Sequence, residues 1–269
     1  MKNPHAWLAA CAAPAAAFFA VFWLLPVVQL LALPAERGWA TYFAVLLDAR
    51  YLRSLLNTLG LSLAVTALTL LLGAGVGITL ARHRFRGRKL LLSLMTLPLS
   101  FPGVIIGFFI ILLGGRQGLV ADVTEWAGSG RLTFAYGLTG LFLGYLYFSL
   151  PRALASFTAA AESMDAALEE AARTLGASRW RIARDVWLPQ LRATSVACGS
   201  IVFATAMGAF GTAFTLASKF EVLPITIYNE FTNYANFALA ASLSITLGLI
   251  TLLVLAASRR LAGPAGAWA

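Results

Sequence analysis

Six apolar stretches of membrane-spanning length follow one another along this chain of 269 residues, separated by charged or turn-forming segments. Each stretch is close to the roughly 20 residues that a helix needs to cross a hydrocarbon core of about 30 Å. The alternating pattern of a transmembrane β-barrel does not occur in the sequence, so we expect helices, which satisfy their own backbone groups in lipid. The predicted fold is an all-α, polytopic transmembrane helix bundle with spans at 6–33, 54–80, 90–113, 136–157, 193–217 and 237–258.

The composition agrees with this prediction. Hydrophobic residues make up 60% of the chain, charged residues only 12%, and the mean hydropathy is +0.81. Soluble domains carry roughly a quarter charged residues, so we expect an integral membrane protein in contact with lipid. The net charge of +9 is carried by segments between apolar runs, which argues against a nucleic-acid partner. The first apolar run is longer than the roughly 7–15 residues of a signal peptide and is expected to be retained.

The distribution of Lys and Arg predicts that both termini face the cytoplasm. With that orientation the inner segments, in which Arg152 is counted, hold 14 of the 20 basic residues and five acids, a net charge of +9. The outer segments hold six of each and are neutral. The positive-inside rule therefore selects an N-in, C-in topology. We divide the chain into an N-terminal helix with its outer loop (1–53), a core of five helices (54–261) and a short cytoplasmic tail (262–269).

Between residues 164 and 191 the apolar pattern is interrupted by a polar segment. Residues 164–175 place apolar side chains at helical spacing. Gly176 follows as a glycine that ends a helix in the left-handed conformation would. Ser178 can cap a second helix, which Pro189 is expected to end. The segment is therefore predicted to be a cytoplasmic helix–turn–helix, either a coupling loop for a partner or an interfacial hairpin that only packs under the bundle.

The same segment carries a specific pattern: E-A-A, three residues, Gly, nine residues, an aliphatic residue, one residue, Leu-Pro. It resembles the EAA signature of the membrane-spanning subunits of bacterial binding-protein-dependent ABC importers, where an ATPase subunit docks. Other stretches look similar to the same family, namely Asn57-Thr58-Leu59, the basic loop RHRFRGRK and the sequence PLSFPGVIIG. The matching positions are Glu170, Ala171, Ala172, Gly176, Val186, Leu188 and Pro189.

This resemblance implies a type I importer in the bacterial inner membrane. Its expected partners are a dimer of ATP-binding subunits, a second permease subunit and a periplasmic solute-binding protein. The chain itself would be no enzyme and hold no cofactor, since the partner subunits bind ATP. Whether the two permease subunits are identical is left open. The residues expected to couple to the ATPase are Glu170, Ala171, Ala172, Gly176, Ala177, Ser178, Leu188 and Pro189.

Other functional classes have less support in the sequence. An ion-coupled secondary transporter is the leading alternative, but the predicted span cores contain essentially no ionisable residue to serve as a relay. A membrane-embedded enzyme would need converging acid, base or metal-ligand groups, and His5 and His83 have no companion ligands for a metal site. Gly73 and Gly77 form a G-x-x-x-G pattern with no Lys-Ser/Thr after it, which indicates close helix packing rather than phosphate binding.

The sequence suggests a substrate only by overall resemblance. The chain looks closest to polyamine, opine and phosphonate permeases, with ferric iron, thiamine and sulfate permeases as near neighbours. The outer segment 218–236 combines acids with aromatics, which could receive a cationic amine. The favoured interpretation of this segment is nevertheless a docking surface for the binding protein or a plain solvated loop. The residues predicted to line the substrate path are Asn57, Pro102, Tyr228 and Glu230.

Overall fold

The structure, a computed structural model, describes residues 4–83, 85–218 and 220–262, and all regular secondary structure in these residues is helical. The all-α prediction is confirmed. Except for Ala262, the predicted tail 262–269 lies outside the described residues. The α-helices are α1 (Pro4–Phe19), α2 (Leu25–Ala32), α3 (Ala44–Leu47), α4 (Ala49–Arg82), α5 (Arg88–Thr96), α6 (Gly103–Gly114), α7 (Leu119–Trp126), α8 (Leu138–Glu162), α9 (Ala166–Thr174), α10 (Arg179–Ile182), α11 (Leu188–Met207), α12 (Phe210–Leu216), α13 (Leu223–Tyr228) and α14 (Phe237–Ala262).

Within the described residues, four helical stretches are long and apolar enough to cross a membrane. A fifth is formed if two helices bent by 49° across a short break count as one span. This agrees with a polytopic bundle, while the number of six spans and the N-in, C-in topology stay predictions. The four stretches are Ala12–Arg37, Ala49–Arg82, Gly103–Trp126 and Phe237–Arg260, and the bent pair is Arg179–Met207 with Phe210–Leu216.

Helix α8 corresponds to the predicted fourth span but is not among these stretches. Its 25 residues are long enough, yet Pro151 and Arg152 lie inside it. Arg152 precedes the last residue, Glu162, by ten positions, which is about 15 Å along a helix axis. Arg152 therefore lies within a helix and not in a loop that follows it, while its place in an inner segment and the absence of ionisable residues from the span cores stay predictions.

The predicted third span, 90–113, is not one helix. Helix α5 passes into a 3₁₀ turn at Leu97–Ser100, and α6 begins only at Gly103. Phe101 has an extended backbone (φ −97°, ψ 133°), as expected for a residue before a proline. Pro98, Pro102 and Gly103 predict a kink or local unwinding in this segment, and the structure contains that break. The helical stretch of spanning length in this region is Gly103–Trp126, and the span at 90–113 stays a prediction.

Two prolines are each preceded by a π-helical turn that keeps the helix continuous. One turn, Ala20–Leu24, joins α1 to α2 just before Pro26, and the other, Ala183–Trp187, joins α10 to α11 just before Pro189. A proline has no N–H to donate to the preceding turn, and a widened turn accommodates this defect. The prediction that Pro189 ends the second helix of the hairpin is therefore wrong.

The centre of the bundle is the packing of α4 against α8. A Cβ atom on Gly73 would lie 2.8 Å from Ala153 Cβ, and one on Gly77 would lie 2.7 Å from Phe157 Cβ. The two glycines thus let the helix backbones approach closely, as the G-x-x-x-G pattern predicts. Phe157 is fully buried, and α11 packs on the same core through the buried Val202.

A second, smaller core joins α14 to the start of α4. Val45, Leu55, Leu223 and Leu243 are buried together there. The N-terminal stretch Ala12–Arg37 behaves differently, because none of its most apolar window is buried. The core that positions the functional segments therefore consists of the chain from α3 onwards.

Candidate coupling hairpin and transport path

Local sequence determines the geometry of the turn between α9 and α10. Gly176 has φ +76°, a left-handed conformation that glycine adopts without steric cost. Its N–H donates to the carbonyl of Arg173 at 2.9 Å, and the N–H of Ala177 donates to the carbonyl of Ala172 at 3.0 Å. This pair of bonds is a Schellman motif, which satisfies the free carbonyls at the end of α9.

The two helices of the hairpin begin at side-chain caps. Asp165 accepts a hydrogen bond from the N–H of Ala167 at 2.9 Å at the start of α9. Ser178 accepts one from the N–H of Arg181 at 3.4 Å at the start of α10, as predicted. These caps satisfy N–H groups that have no partner within a helix. The hairpin is thus held by its own sequence on both sides of Gly176.

The outward surface of the hairpin is apolar at its tip. Leu175 and Trp180 flank the turn with exposed fractions of 86% and 77%. Glu170 lies exposed on the preceding helix, and Leu188 and Pro189 are exposed beyond the π turn. Large apolar side chains so exposed beside an ordered turn are typical of a protein-binding surface.

The inward surface of the hairpin is held by a buried carboxylate, Glu169. One oxygen accepts a hydrogen bond from Arg173 at 2.6 Å, and the other accepts one from Trp187 Nε1 at 3.2 Å. The guanidinium of Arg82, the last residue of α4, lies 3.3 Å from the same carboxylate. Glu169 therefore ties both helices of the hairpin to the end of the longest helix.

Sequence reasoning missed Glu169, because the family pattern begins one residue later. The available signal was the spacing between Glu169 and Arg173, which places an acid and a base one helical turn apart. Among the predicted coupling residues, Glu170 and Gly176 point to the outer surface and Ala172 and Ala177 are half-buried.

Two further ion pairs each join two segments of the chain, one pair near the hairpin and one away from it. Arg88, at the start of α5, pairs with Glu162, at the end of α8, near the hairpin. In a different group, Arg50 Nε lies 3.7 Å from Glu221. Each pair joins segments predicted to lie on the same side of the membrane.

A local pair joins α7 to the loop after it. Arg131 donates to Glu125 at 2.8 Å, and this hydrogen bond raises the pKa of Arg131 above its ordinary value.

The predicted path residue Glu230 is a structural carboxylate. It is only 4% exposed, accepts a hydrogen bond from the Tyr51 hydroxyl at 2.9 Å and accepts another from Asn236 at 3.3 Å. Asn57 donates to the backbone carbonyl of Glu221 at 3.0 Å. Both side chains therefore fix the segment 218–236 onto α4.

The other two predicted path residues lie near α12. The ring of Tyr228 lies 5.2 Å from that of Phe210 and 5.6 Å from that of Phe214, measured between centroids. Pro102 is exposed at the start of α6, whose first carbonyl, on Gly103, accepts a hydrogen bond from α12. The contacts thus place Asn57 and Glu230 where α4 meets the segment 218–236 and place Tyr228 and Pro102 near α12, and the role of these residues in a path stays a prediction.

A bundle of apolar helices with an ordered, apolar-tipped hairpin at one end has the organisation of the membrane subunit of a transporter that is driven by a partner. A family model described as "binding-protein-dependent transport system inner membrane component" matches residues 70–262. The chain belongs to this family, that of the permease subunits of ABC importers. The predicted resemblance is confirmed, and the family is one of transport subunits rather than enzymes.

Curated relatives carry names from sulfate and molybdenum transport. The molybdenum transport system permease protein ModB of Escherichia coli is 34% identical over 72% of this chain and 89% of its own length. Sulfate permease 2, chloroplastic, of Chlamydomonas reinhardtii is 30% identical over 86% of this chain, which spans 63% of that protein. The sulfate transport system permease protein CysT of Escherichia coli is 28% identical over 88% of this chain and 86% of its own.

Solved structures agree on the fold. A bacterial alginate ABC transporter in complex with an alginate-bound periplasmic protein contains a chain with a TM-score of 0.82 at 18% identity, covering 97% of this chain and 95% of that one. The MetNI methionine ABC transporter, in an inward-facing conformation, gives a TM-score of 0.58 at 18% identity over 78% of this chain and 94% of that one. At this identity the likeness shows the fold alone.

The preference for a polyamine or phosphonate class is wrong, since the relatives named above belong to sulfate and molybdenum systems. For the polyamine class the structure gives a physical reason. The acids of segment 218–236 that could have received a cationic amine already have partners in the chain, Glu221 with Arg50 and Glu230 with Tyr51 and Asn236. Acids and aromatics in an outer segment therefore did not indicate a cation site here.

Proposed function

We propose that the chain is the permease subunit of an ATP-driven importer for a tetrahedral oxyanion of the sulfate or molybdate type. It lies in a bacterial inner membrane, pairs with a second permease subunit and receives the solute from a periplasmic binding protein. A dimer of ATP-binding subunits docks on the hairpin and supplies the energy. The chain binds no ATP and performs no chemical step.

The observation that carries the coupling role is the two-sided hairpin. Its inner side is fixed to α4 through Glu169 and Arg82, while its tip presents Leu175 and Trp180 to a partner. A rigid element held in this way can pass a rigid-body movement of a bound ATPase to the helix bundle. The continuous helix from Arg179 to Met207 gives the movement a direct route into the membrane.

The substrate class rests on the relatives, together with the pairing of acids in segment 218–236. Glu230 is buried and accepts a hydrogen bond from Tyr51, and Glu221 lies 3.7 Å from Arg50, so both acids of this segment have a partner within the chain. A divalent oxyanion is instead bound by hydrogen-bond donors, which bind it most strongly when they carry a positive charge. Sulfate and molybdate share charge and shape, so both fall within the proposal.

The proposal is tested with the assembled importer in proteoliposomes, with the cognate binding protein added outside. We expect ATP-dependent uptake of radiolabelled sulfate, of molybdate or of both, and no uptake of putrescine or of an alkylphosphonate. The Gly176→Asp variant serves as a matched control, because it alters the hairpin and no membrane helix. Uptake of putrescine without uptake of either oxyanion would overturn the proposed substrate class.

A further inference from the structure

A cleft between α8 and α11 contains a cation, the guanidinium of Arg152. Its volume is about 450 Å³, within the range of small-molecule sites. Arg152 stands at one end of the cleft, and Ser163, near the end of α8, stands at the other. From Arg152 to Glu162 the helix rises about 15 Å. The cleft therefore extends along α8 from Arg152 to the end of the bundle that carries the hairpin.

The charge of Arg152 is not neutralised by any carboxylate within 4.0 Å in the part of the chain that the structure describes. Its Nη1 donates to Thr205 Oγ1 at 3.3 Å, and its guanidinium carbon lies 5.9 Å from the centroid of the Phe148 ring. Thr205 in turn donates to the carbonyl of Ile201 at 2.7 Å, so its oxygen is oriented to accept from the arginine. Of the five N–H donors of a guanidinium, this arrangement occupies one.

The walls of the cleft are small and partly hydroxylated. Arg152, Ser156 and Ser163 face it from α8, and Thr194 and Cys198 face it from α11. An ionisable side chain inside a membrane is costly in lipid and marks a polar pathway or a paired partner. Small walls beside a guanidinium leave room for a hydrated or partly hydrated anion, and a guanidinium binds tetrahedral oxyanions through two N–H groups at once.

We propose that Arg152 is an oxyanion-binding residue on the inner half of the translocation path, where it receives sulfate or molybdate after release from the binding protein. Thr205 positions its guanidinium. The inference rests on the proposed function, because it takes the substrate class from there. It adds a site within the membrane, where a positive charge lowers the barrier for a divalent anion that has left water.

The test replaces Arg152 in the reconstituted importer and separates transport from assembly. Arg152→Gln is expected to lower oxyanion uptake by about tenfold or more, since hydrogen bonds to a charged group are lost, and Arg152→Lys to lower it less. ATP hydrolysis stimulated by the loaded binding protein should persist in both variants. Arg259→Gln is the matched control, because Arg259 is exposed at the end of α14 and lies outside the cleft. It should transport as the wild type does.

The outcomes distinguish this inference from the proposed function. If the wild type imports neither sulfate nor molybdate, the proposed function fails. If the wild type imports an oxyanion and Arg152→Gln imports it at the same rate, the inference alone is overturned. Loss of co-purification with the second permease subunit in both Arg152 variants would make the residue a subunit contact and would also overturn it. If Arg152→Gln is not recovered from membranes, Thr205→Val is used instead, because it keeps the charge of Arg152. We expect this variant to reduce oxyanion uptake severalfold. Unchanged uptake by Thr205→Val would contradict the inference.

Discussion

The guanidinium of Arg82, at the end of α4, lies 3.3 Å from the carboxylate of Glu169 in the first helix of the hairpin. The two side chains are 24% and 10% exposed, so the pair is largely removed from water. The same carboxylate accepts hydrogen bonds from Arg173 and Trp187. One acid thus fixes the orientation of the hairpin relative to the bundle.

Removal of this acid should loosen the hairpin. Glu169→Gln leaves Arg82 and Arg173 without their shared anion, and we expect a lower Tm of the purified permease. A double-mutant cycle with Arg82→Gln should give a coupling energy on the order of 1–3 kcal/mol, since the two groups are in contact. Glu170→Gln, the exposed neighbour, should change stability by less than about 0.5 kcal/mol. Equal effects of the two glutamate substitutions would contradict the role given to Glu169.

The packing of α4 on α8 can be tested with two glycines in the same helix. A Cβ on Gly77 would meet Phe157 Cβ at 2.7 Å and the backbone nitrogen of Thr158 at 3.0 Å, so Gly77→Ala should destabilise by about 1–3 kcal/mol. A Cβ on Gly75 meets nothing within 4 Å, so Gly75→Ala should stabilise by about 0.5–1 kcal/mol through helix propensity. Thermal unfolding of the two variants gives the comparison, and shifts of the same sign would show that α4 and α8 are not packed in this way.

Topology is open to labelling of single cysteines in a background with Cys11→Ala and Cys198→Ala. The two loops are probed by cysteines at Arg86 and Ser129, which are exposed. Their neighbours Gly87 and Gly128 are avoided, because both have a positive φ that a cysteine adopts only with strain. In intact cells an impermeant thiol reagent should label a cysteine at Ser129 and leave one at Arg86 or Ser178 unlabelled. Labelling at Ser178 from outside would refute the N-in, C-in prediction and, with it, docking of an ATPase on the hairpin.

Sequence rules predicted what depends on neighbouring residues. The left-handed Gly176 and the cap at Ser178 follow from preferences of the chain within one or two turns. The helix break around Pro102 follows in the same way. Pro189 shows the limit of such rules, because a proline can either end a helix or be accommodated by a π turn, and only the packed structure selects one.

Contacts between distant segments were not accessible in the same way. Glu169 and Arg82 meet because α4 packs along α8 and places its end beside the hairpin, and no local pattern encodes this arrangement. Glu230 looked like a free acid in an outer loop, yet its partner Tyr51 lies far away in the sequence. Arg152 was counted with an inner segment, whereas α8 continues for ten residues beyond it, because helix ends are the least certain part of a sequence-based prediction.

The coupling role itself is tested most directly at Gly176. Its φ of +76° is a conformation that most side chains adopt at a cost of about 1–3 kcal/mol, although nothing lies within 4 Å of an added Cβ. Gly176→Asp adds to this strain an anion near the C-terminal end of α9, where the helix dipole is unfavourable to it. Gly176→Asn is the matched control, because asparagine has nearly the same shape, carries no charge and tolerates the left-handed conformation.

Both Gly176 variants should insert into the membrane, since neither changes a membrane helix. We expect Gly176→Asp to reduce oxyanion uptake by about tenfold or more, in line with a loss of about 1.4 kcal/mol or more at the docking surface, and Gly176→Asn to keep most of it. Glu170→Lys, which reverses a charge on the same outer surface, should resemble Gly176→Asp. Co-purification of the ATPase and its stimulation by loaded binding protein are measured alongside uptake. If Gly176→Asp and Glu170→Lys both transport at the wild-type rate with the ATPase bound, the hairpin is an interfacial brace, and the energy must enter the bundle through another surface.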